Sequence, residues 1–343
     1  MIDSNPKAYI IFQEHRRIQS QNRDIRSMDM GFKIGSFNMR NIGFSALADS
    51  NERDIEKIAE IIKKEQFDVV ALQEVQSEGK AFYLPDFAKR TILMELGPDW
   101  DFRWGQASYK EELAFIWNKK RMRLPTVTLK DGTEREFEPR LCEVKEAGKM
   151  IRRPYYARFT PQGTFASNLA EFRLLCVHTY YGSESKADEA LRLQELDLLL
   201  KEIYPQIYHD QFQSSVPSYT IVLGDYNAEL YRPWHETLQR SKKALYMQET
   251  VCATNWDNLI INTYQDQLTT LKKPEEDDDD DGKSNRYSHN YDHFSYADDE
   301  RFKELKMSCR RIDAVRKYTN DSPSEYLKKV SDHLPIMLSI EFN

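Results

Sequence analysis

Short apolar runs that end in polar groups set the rhythm of this chain. "FKIGSFN" (32–38), "FDVVALQEV" (67–75), "ELAFIWN" (112–118), "YYARF" (155–159), "FRLLCVHT" (172–179) and "YTIVLGDYN" (219–227) read as strands. "YDHFSY" (291–296), "RIDAVRKY" (311–318) and "LPIMLSIEF" (334–342) complete the set. Two stretches instead repeat apolar residues at helical spacing. Ile55, Ile58, Ala59 and Ile62 mark a helix over 54–64, with Ser50 or Asn51 as its cap. Leu193, Leu196, Leu200 and Ile203 mark a longer one over 185–204. Many strands, few helices and no strict βαβ alternation predict an α+β domain of two sheets packed face to face with helices outside. Residues 1–30, polar apart from the stretch Ala8 to Phe12, read as an N-terminal extension ahead of a single domain over 31–343.

Composition narrows the class. The 343 residues, 40% of them hydrophobic, suffice for a sizeable core. No apolar run approaches the roughly 18 residues that a membrane helix needs, and the first residues lack the apolar segment of a secretory signal. Cys142, Cys176, Cys252 and Cys309 stand far apart with no CxxC pair, which argues against a zinc cluster or a disulfide framework and makes the cytoplasm the expected compartment. The run "EEDDDDD" (275–281) carries seven acids and so accounts for the whole formal charge of −7. A nucleic-acid binder usually shows a basic excess. This chain does not, so contact with a polyanion would rest on local patches or on metal ions.

The strand ends hold the candidate chemistry: Asn38, Glu74, His178, Asp225 with Asn227, Asp292, and Asp332 with His333. Singly, each is a common turn or surface residue. Together, on one rim, they would form a set of oxygen ligands with two histidines. Hard oxygen donors without thiolates suit Mg²⁺ or Mn²⁺, and such a set fits hydrolysis of a phosphate ester. Histidine with a carboxylate partner can move a proton near neutral pH. There is no G-x-S-x-G elbow, P-loop or Gly-rich dinucleotide turn.

In order along the chain, "GSFNMRNIG", "VVALQEV", "GDYNAEL" and "SDHLPI" resemble the motifs of the endonuclease/exonuclease/phosphatase superfamily, and more closely its deoxyribonuclease I-like branch. The resemblance runs from about residue 32 to 342. It implies a four-layer α/β/β/α sandwich whose two mixed sheets are mostly antiparallel. It also implies an Mg²⁺-dependent endonuclease in which Asn38, Glu74 and Asp332 lie at the metal. Asp225 and Asn227 would orient water and phosphate. "SYKEELAF" is similar to the branch's tyrosine–lysine–glutamate strand, so Tyr109 would contact nucleic acid and Glu111 would orient His178. "RRPYYARF" implies a phosphate-binding arginine at Arg152, or at Arg153 if the register slips by one. "YDHFSY" makes Asp292 the partner of His333. His333 is the candidate base and His178 the candidate acid, with the two labels open to exchange.

The departures bear on substrate. Gln76 stands where the branch often carries a minor-groove arginine, and no cysteine follows "GDYNAEL". DNA is the expected partner, with RNA, as in a deadenylase, or a small phosphodiester as the alternatives, and an inactive binding module as a remoter one. The basic segment 119–151 reads either as a solvated β-hairpin or as a patch that tracks a nucleic-acid backbone. Tyr9, Ile10 and Phe12 make the extension a candidate docking segment for a regulatory protein.

Overall fold

In a computed structural model the described residues are 31–42, 53–76, 85–108, 111–144, 150–162, 170–183, 185–209, 216–228, 259–262, 268–272, 286–297 and 300–342. The extension, Tyr109, Cys252 and the acidic run lie outside them. The order is β1 (Phe32–Ile42), α1 (Ile55–Lys64), β2 (Val69–Gln76), α2 (Pro85–Leu96), β3 (Trp100–Gln106) and β4 (Glu111–Asn118). Short strands follow: β5 (Met122–Arg123), β6 (Thr126–Thr128), β7 (Glu134–Glu136) and β8 (Arg140–Leu141). Next come β9 (Tyr155–Pro161), β10 (Glu171–His178) and α3 (Lys186–Leu198), which passes through a π turn (Leu199–Ile203) into α4 (Tyr204–His209). The chain continues with β11 (Ser218–Asp225), β12 (Leu259–Asn262), β13 (Asp292–Ala297) and α5 (Glu300–Lys303). It closes with β14 (Leu305–Arg311), α6 (Ala314–Tyr318), α7 (Pro323–Lys329) and β15 (Ile336–Phe342).

Two large sheets result, in the orders β14-β15-β1-β2-β4-β3 and β12-β13-β11-β10-β9-β5, with β8 also on β9. Each holds one parallel pair, β1 with β2 and β10 with β11; the other pairs are antiparallel. Alternation along the strands explains the layers, because successive side chains face opposite ways. Ile34, Val69 and Phe115 meet Phe159, Leu174 and Ile221 between the sheets. Val70 and Ile116, on the other face, pack with Ile58, Ile62, Ile92 and Tyr326 from α1, α2 and α7. Leu175 and Val222 pack outward on Leu196, Leu199 and Tyr204. The four-layer α/β/β/α expectation is met. No helix among the described residues is long and apolar enough to cross a membrane.

Two local expectations change and a third is met. Asp54, not Ser50 or Asn51, caps α1 by accepting from the Lys57 N–H. The supposed strand 311–318 is instead the end of β14 followed by α6, because the Asp313 side chain accepts from the Arg316 N–H and opens a helix. The predicted helix 185–204 is α3 continued by the π turn. Within the basic segment 119–151, β6 and β7 form a solvated antiparallel hairpin, which favours the plainer of the two readings.

Away from the rim, β9 and β10 bury an ion triad. Glu171 accepts from Arg158 Nε at 3.0 Å and Arg173 Nε at 2.8 Å, and all three residues are buried. Removing the shared carboxylate takes the counter-charge away from two buried guanidinium groups. Glu171→Ala should therefore cost about 3–5 kcal/mol in urea unfolding. A loss below about 1 kcal/mol would mean that the triad contributes nothing beyond its packing.

Candidate active site

All the expected side chains that the structure describes come from one rim, and topology is the reason. The carboxyl ends of β1, β2, β10 and β11 point the same way as the amino ends of their antiparallel neighbours β4, β9, β13 and β15. The first group brings Asn38, Glu74, His178 and Asp225; the second brings Glu111, Arg152, Asp292 and His333. Register then sets a row across the second sheet, in which His178 pairs with Asp225 and Asp225 with Asp292.

Irregular backbone aims these groups. The ladders of β1 with β2 and β2 with β4 slip at Asn38–Ile42 and Leu72–Val75, and such bulges turn side chains out of the pleat. Glu74 sits at φ 53° and Asn227 at φ 45°, conformations that side chains adopt at a cost. Gly224, at φ 150°, has no alternative residue: a Cβ there would lie 2.0 Å from the Val177 carbonyl oxygen.

Asp225 is the hub. Its Oδ2 accepts from Asn38 Nδ2 at 3.0 Å and its Oδ1 from the Asn227 N–H at 2.8 Å. His178 Nε2 and His333 Nε2 each stand 3.6 Å from the same Oδ2. Behind each imidazole is a second carboxylate: Nδ1 of His178 meets Glu111, and Nδ1 of His333 meets Asp292 Oδ2 at 2.9 Å. Two carboxylate–imidazole pairs thus face one carboxylate. Asn38 Nδ2 also donates to Glu74 Oε1 at 3.0 Å, while the Asn38 oxygen accepts from the Arg40 N–H. The Asn38 amide nitrogen thus links Glu74 to Asp225 across the two sheets.

The electrostatics follow. Burial alone would raise the Asp225 carboxyl, but His333 and His178 hold it below the ordinary aspartate range. Burial disfavours imidazolium, yet Asp292 and Asp225 hold His333 well above the usual histidine value. Glu111 and Asp225 raise His178 in the same way against its burial. Burial likewise opposes ionisation of Glu111, and His178 with Arg152 overcomes it. Burial pushes Asp292 up despite His333, so that carboxyl and its imidazole compete for one proton and titrate as a pair.

Of the two arginines, Arg152 is the one brought in. Its Nε is 2.5 Å from Glu111 Oε2 and its Nη1 donates to the Thr179 carbonyl at 3.1 Å, which leaves Nη2 for a ligand. Arg153 is exposed. Asn227 Nδ2 donates to the same Thr179 oxygen at 2.8 Å. Asp332 stands at the edge, one-third exposed and 3.4 Å from Arg40 Nε, without a hydrogen bond to Asn38 or Glu74.

Two supporting residues escaped the sequence reading. Glu195, fully buried on α3, accepts from the N–H groups of Ile151 at 2.5 Å and Tyr180 at 2.6 Å, and so pins the segments that carry Arg152 and His178. Arg192, one turn earlier, donates to the Asn227 carbonyl at 3.2 Å. A charged pair three apart on a helix usually marks a solvated face. Its one signal was its position beside Leu196, on the face read as apolar.

The donor chemistry fits a divalent ion of the Mg²⁺ type. Among the described residues no three His, Cys, Asp or Glu side chains gather as a closed metal cage. Mg²⁺ seldom uses one, since it keeps waters and takes one or two carboxylates with substrate phosphate. Glu74, 22% exposed in its side chain and facing no lysine or arginine within ion-pair distance among the described residues, suits that role, with Asp332 and Asp225 as the further oxygens.

Residues 35–333 match the Endonuclease/Exonuclease/phosphatase family. A curated protein named Deoxyribonuclease from Thioalkalivibrio sp. (strain K90mix) is 24% identical over 241 residues, 68% of this chain and 56% of that protein. The chain thus spans little more than half of that relative's length. Among solved structures, D. rerio TDP2 complexed with single strand DNA product aligns with a TM-score of 0.55 at 14% identity, covering 91% of this chain and all of that one. An AP endonuclease from Archaeoglobus fulgidus aligns at 0.53 and 13% identity, covering 91% and 99% of the two chains. The Bacteroides thetaiotaomicron mannosyl-6-phosphatase Bt3783 aligns at 0.52 and 13%, over 91% and 100%.

Gly224 offers a test of the geometry that needs no substrate. Backbone strain and a forced clash each cost about 1–3 kcal/mol. Gly224→Ala should therefore lose on the order of 3 kcal/mol in urea unfolding. Stability within about 0.5 kcal/mol of the parent would refute the close approach of β10 and β11 next to Asp225.

Proposed function

The chain belongs to the endonuclease/exonuclease/phosphatase family, and from that premise we propose that it is a divalent-metal-dependent nuclease that cleaves DNA phosphodiester bonds by in-line attack of an activated water. Phosphoester hydrolysis is the coarser part of this reading and goes with the family. The observation that carries the finer part is the pair of carboxylate-backed imidazoles facing Asp225 at 3.6 Å each. Hydrolysis of a diester needs one group to accept a proton from water and another to give one to the leaving oxygen. Two such groups about a common carboxylate supply both. DNA is favoured by the relative named Deoxyribonuclease and by the likeness to a TDP2 complex that holds single strand DNA.

In this mechanism Glu74 would hold the Mg²⁺, with Asp332 and Asp225 near it. The bound ion would neutralise charge on the phosphate. Arg152 adds its Nη2 to a phosphate oxygen, its other nitrogens being anchored on Glu111 and Thr179. Asn227 and Asp225 orient the water and the phosphate. The acid and base labels stay exchangeable, because each imidazole is flanked by two carboxylates, His333 by Asp292 and Asp225 and His178 by Glu111 and Asp225.

Plasmid nicking in Mg²⁺, Mn²⁺ or EDTA checks the main reading. Nicking should require the metal, and Asp225→Ala should lower it by about 10² to 10⁴. A folded Asp225→Ala protein within tenfold of the parent would sink the assignment. Cleavage of RNA or of a simple diester in place of plasmid would move the substrate. A pH profile tests the labels. A histidine raised in the folded protein contributes stability fully present below the ordinary value of about 6.5, and lost as pH rises through the raised value. Asp292→Asn removes the main support for that raised value. With His333 as base, the acidic limb of kcat/KM should move to lower pH; movement of the alkaline limb would make it the acid.

A further inference from the structure

Three aromatic rings stand along the rim beside the catalytic row, and the mechanism uses none of them. Tyr181 follows His178 by three residues and is 38% exposed. The Arg192 guanidinium lies 5.1 Å from the centre of its ring. Arg192 is itself buried and donates to the carbonyls of Asn227 and Ser183, so this support is fixed. Tyr291 directly precedes Asp292, and its ring centre is 6.4 Å from that of Tyr181 at 49°. The exposed His289 lies parallel to Tyr291, 4.6 Å away and within 1°.

The backbone under these rings is pinned. The Tyr291 N–H donates to Thr269 Oγ1 at 3.1 Å, and its carbonyl accepts from the Tyr226 N–H at 2.8 Å. The His289 carbonyl accepts from the N–H groups of Thr269 and Thr270. Aromatic side chains that merely fill a core are buried, as Tyr155 and Tyr156 are. A row with exposed members at both ends, held rigid against the catalytic residues, is instead suited to hold a flat group.

The flat group next to a phosphodiester in a nucleic acid is a base. Inside a duplex both faces of a base are covered by its neighbours, so a protein ring can stack only on one that has left the stack. The charge balance agrees. Outside the acidic run the chain is neutral, so no general basic excess supplies the affinity and local contacts such as stacking gain weight. We propose that Tyr181, with Tyr291 and His289 beside it, stacks an unpaired nucleobase next to the scissile phosphate, making single-stranded or frayed nucleic acid the preferred substrate class. This rests on the nuclease reading above.

The test separates binding from cleavage. In EDTA, where no hydrolysis is expected, fluorescence anisotropy would compare a single-stranded oligodeoxynucleotide with an abasic strand of equal length and phosphate count. The proteins would be the parent, Tyr181→Ala and Tyr181→Phe, each checked for folding by circular dichroism. The parent should prefer the strand with bases. A stacked base is worth enough that Tyr181→Ala should weaken that strand roughly 5- to 100-fold, with little change for the abasic strand, and Tyr181→Phe should stay within about twofold of the parent. Equal losses on both strands, no preference for bases, or a loss in Tyr181→Phe as large as in Tyr181→Ala would each overturn the proposal. Turnover of the same strands in Mg²⁺ is read separately. Base-dependent binding without turnover would leave the platform standing and remove the nuclease reading.

Discussion

The buried carboxylate of Asp225 is the constraint around which the rim is organised. A charge removed from water is tolerated only when its hydrogen-bond capacity and its charge are met. Here an amide from β1, a backbone N–H two residues on, and imidazoles from the end of β10 and the start of β15 meet them. These groups come from both sheets, so the site exists only when the two sheets are in register with each other. The polar contact between Asn38 and Asp225 in turn ties the sheets together at an edge where apolar packing ends.

The helices serve the same end. Each sheet contains one parallel pair, and a parallel pair needs a crossover, which α1 supplies on one side and α3 with α4 on the other. Both crossovers leave carboxyl ends of adjacent strands on the same rim, where side chains from different strands can converge. Strain is concentrated there as well. Glu74 and Asn227 hold positive φ, and Gly224 exists because no larger residue fits against Val177. Glu195 shows how far the support reaches: a helix residue with no place in the chemistry holds two backbone segments that carry Arg152 and His178.

Much of this was legible in the chain. The strand ends named Glu74, His178, Asp225, Asp292 and His333, and the structure joins all five in one chain of contacts. The errors have local causes. The stretch 311–318 looks like an alternating strand, yet Asp313 can cap a helix, and the competition between the two is decided by what packs against Val315. Whether Arg152 or Arg153 entered the site depended on a one-residue register at the start of β9, and periodicity cannot distinguish neighbours there.

By itself the sequence determined the strands that carry the site, the residues of those strands that face a core, and the polar groups that stand where they run out. These follow from side-chain alternation and residue type over a few positions, so they need no partner to be read. The tertiary structure alone decided that Asn38 and Asp225, 187 residues apart, share a hydrogen bond, and that two imidazoles stand equally far from one oxygen. Distances of that kind are set by how one sheet sits on the other, which depends on the shape of the whole core and on no short stretch of chain.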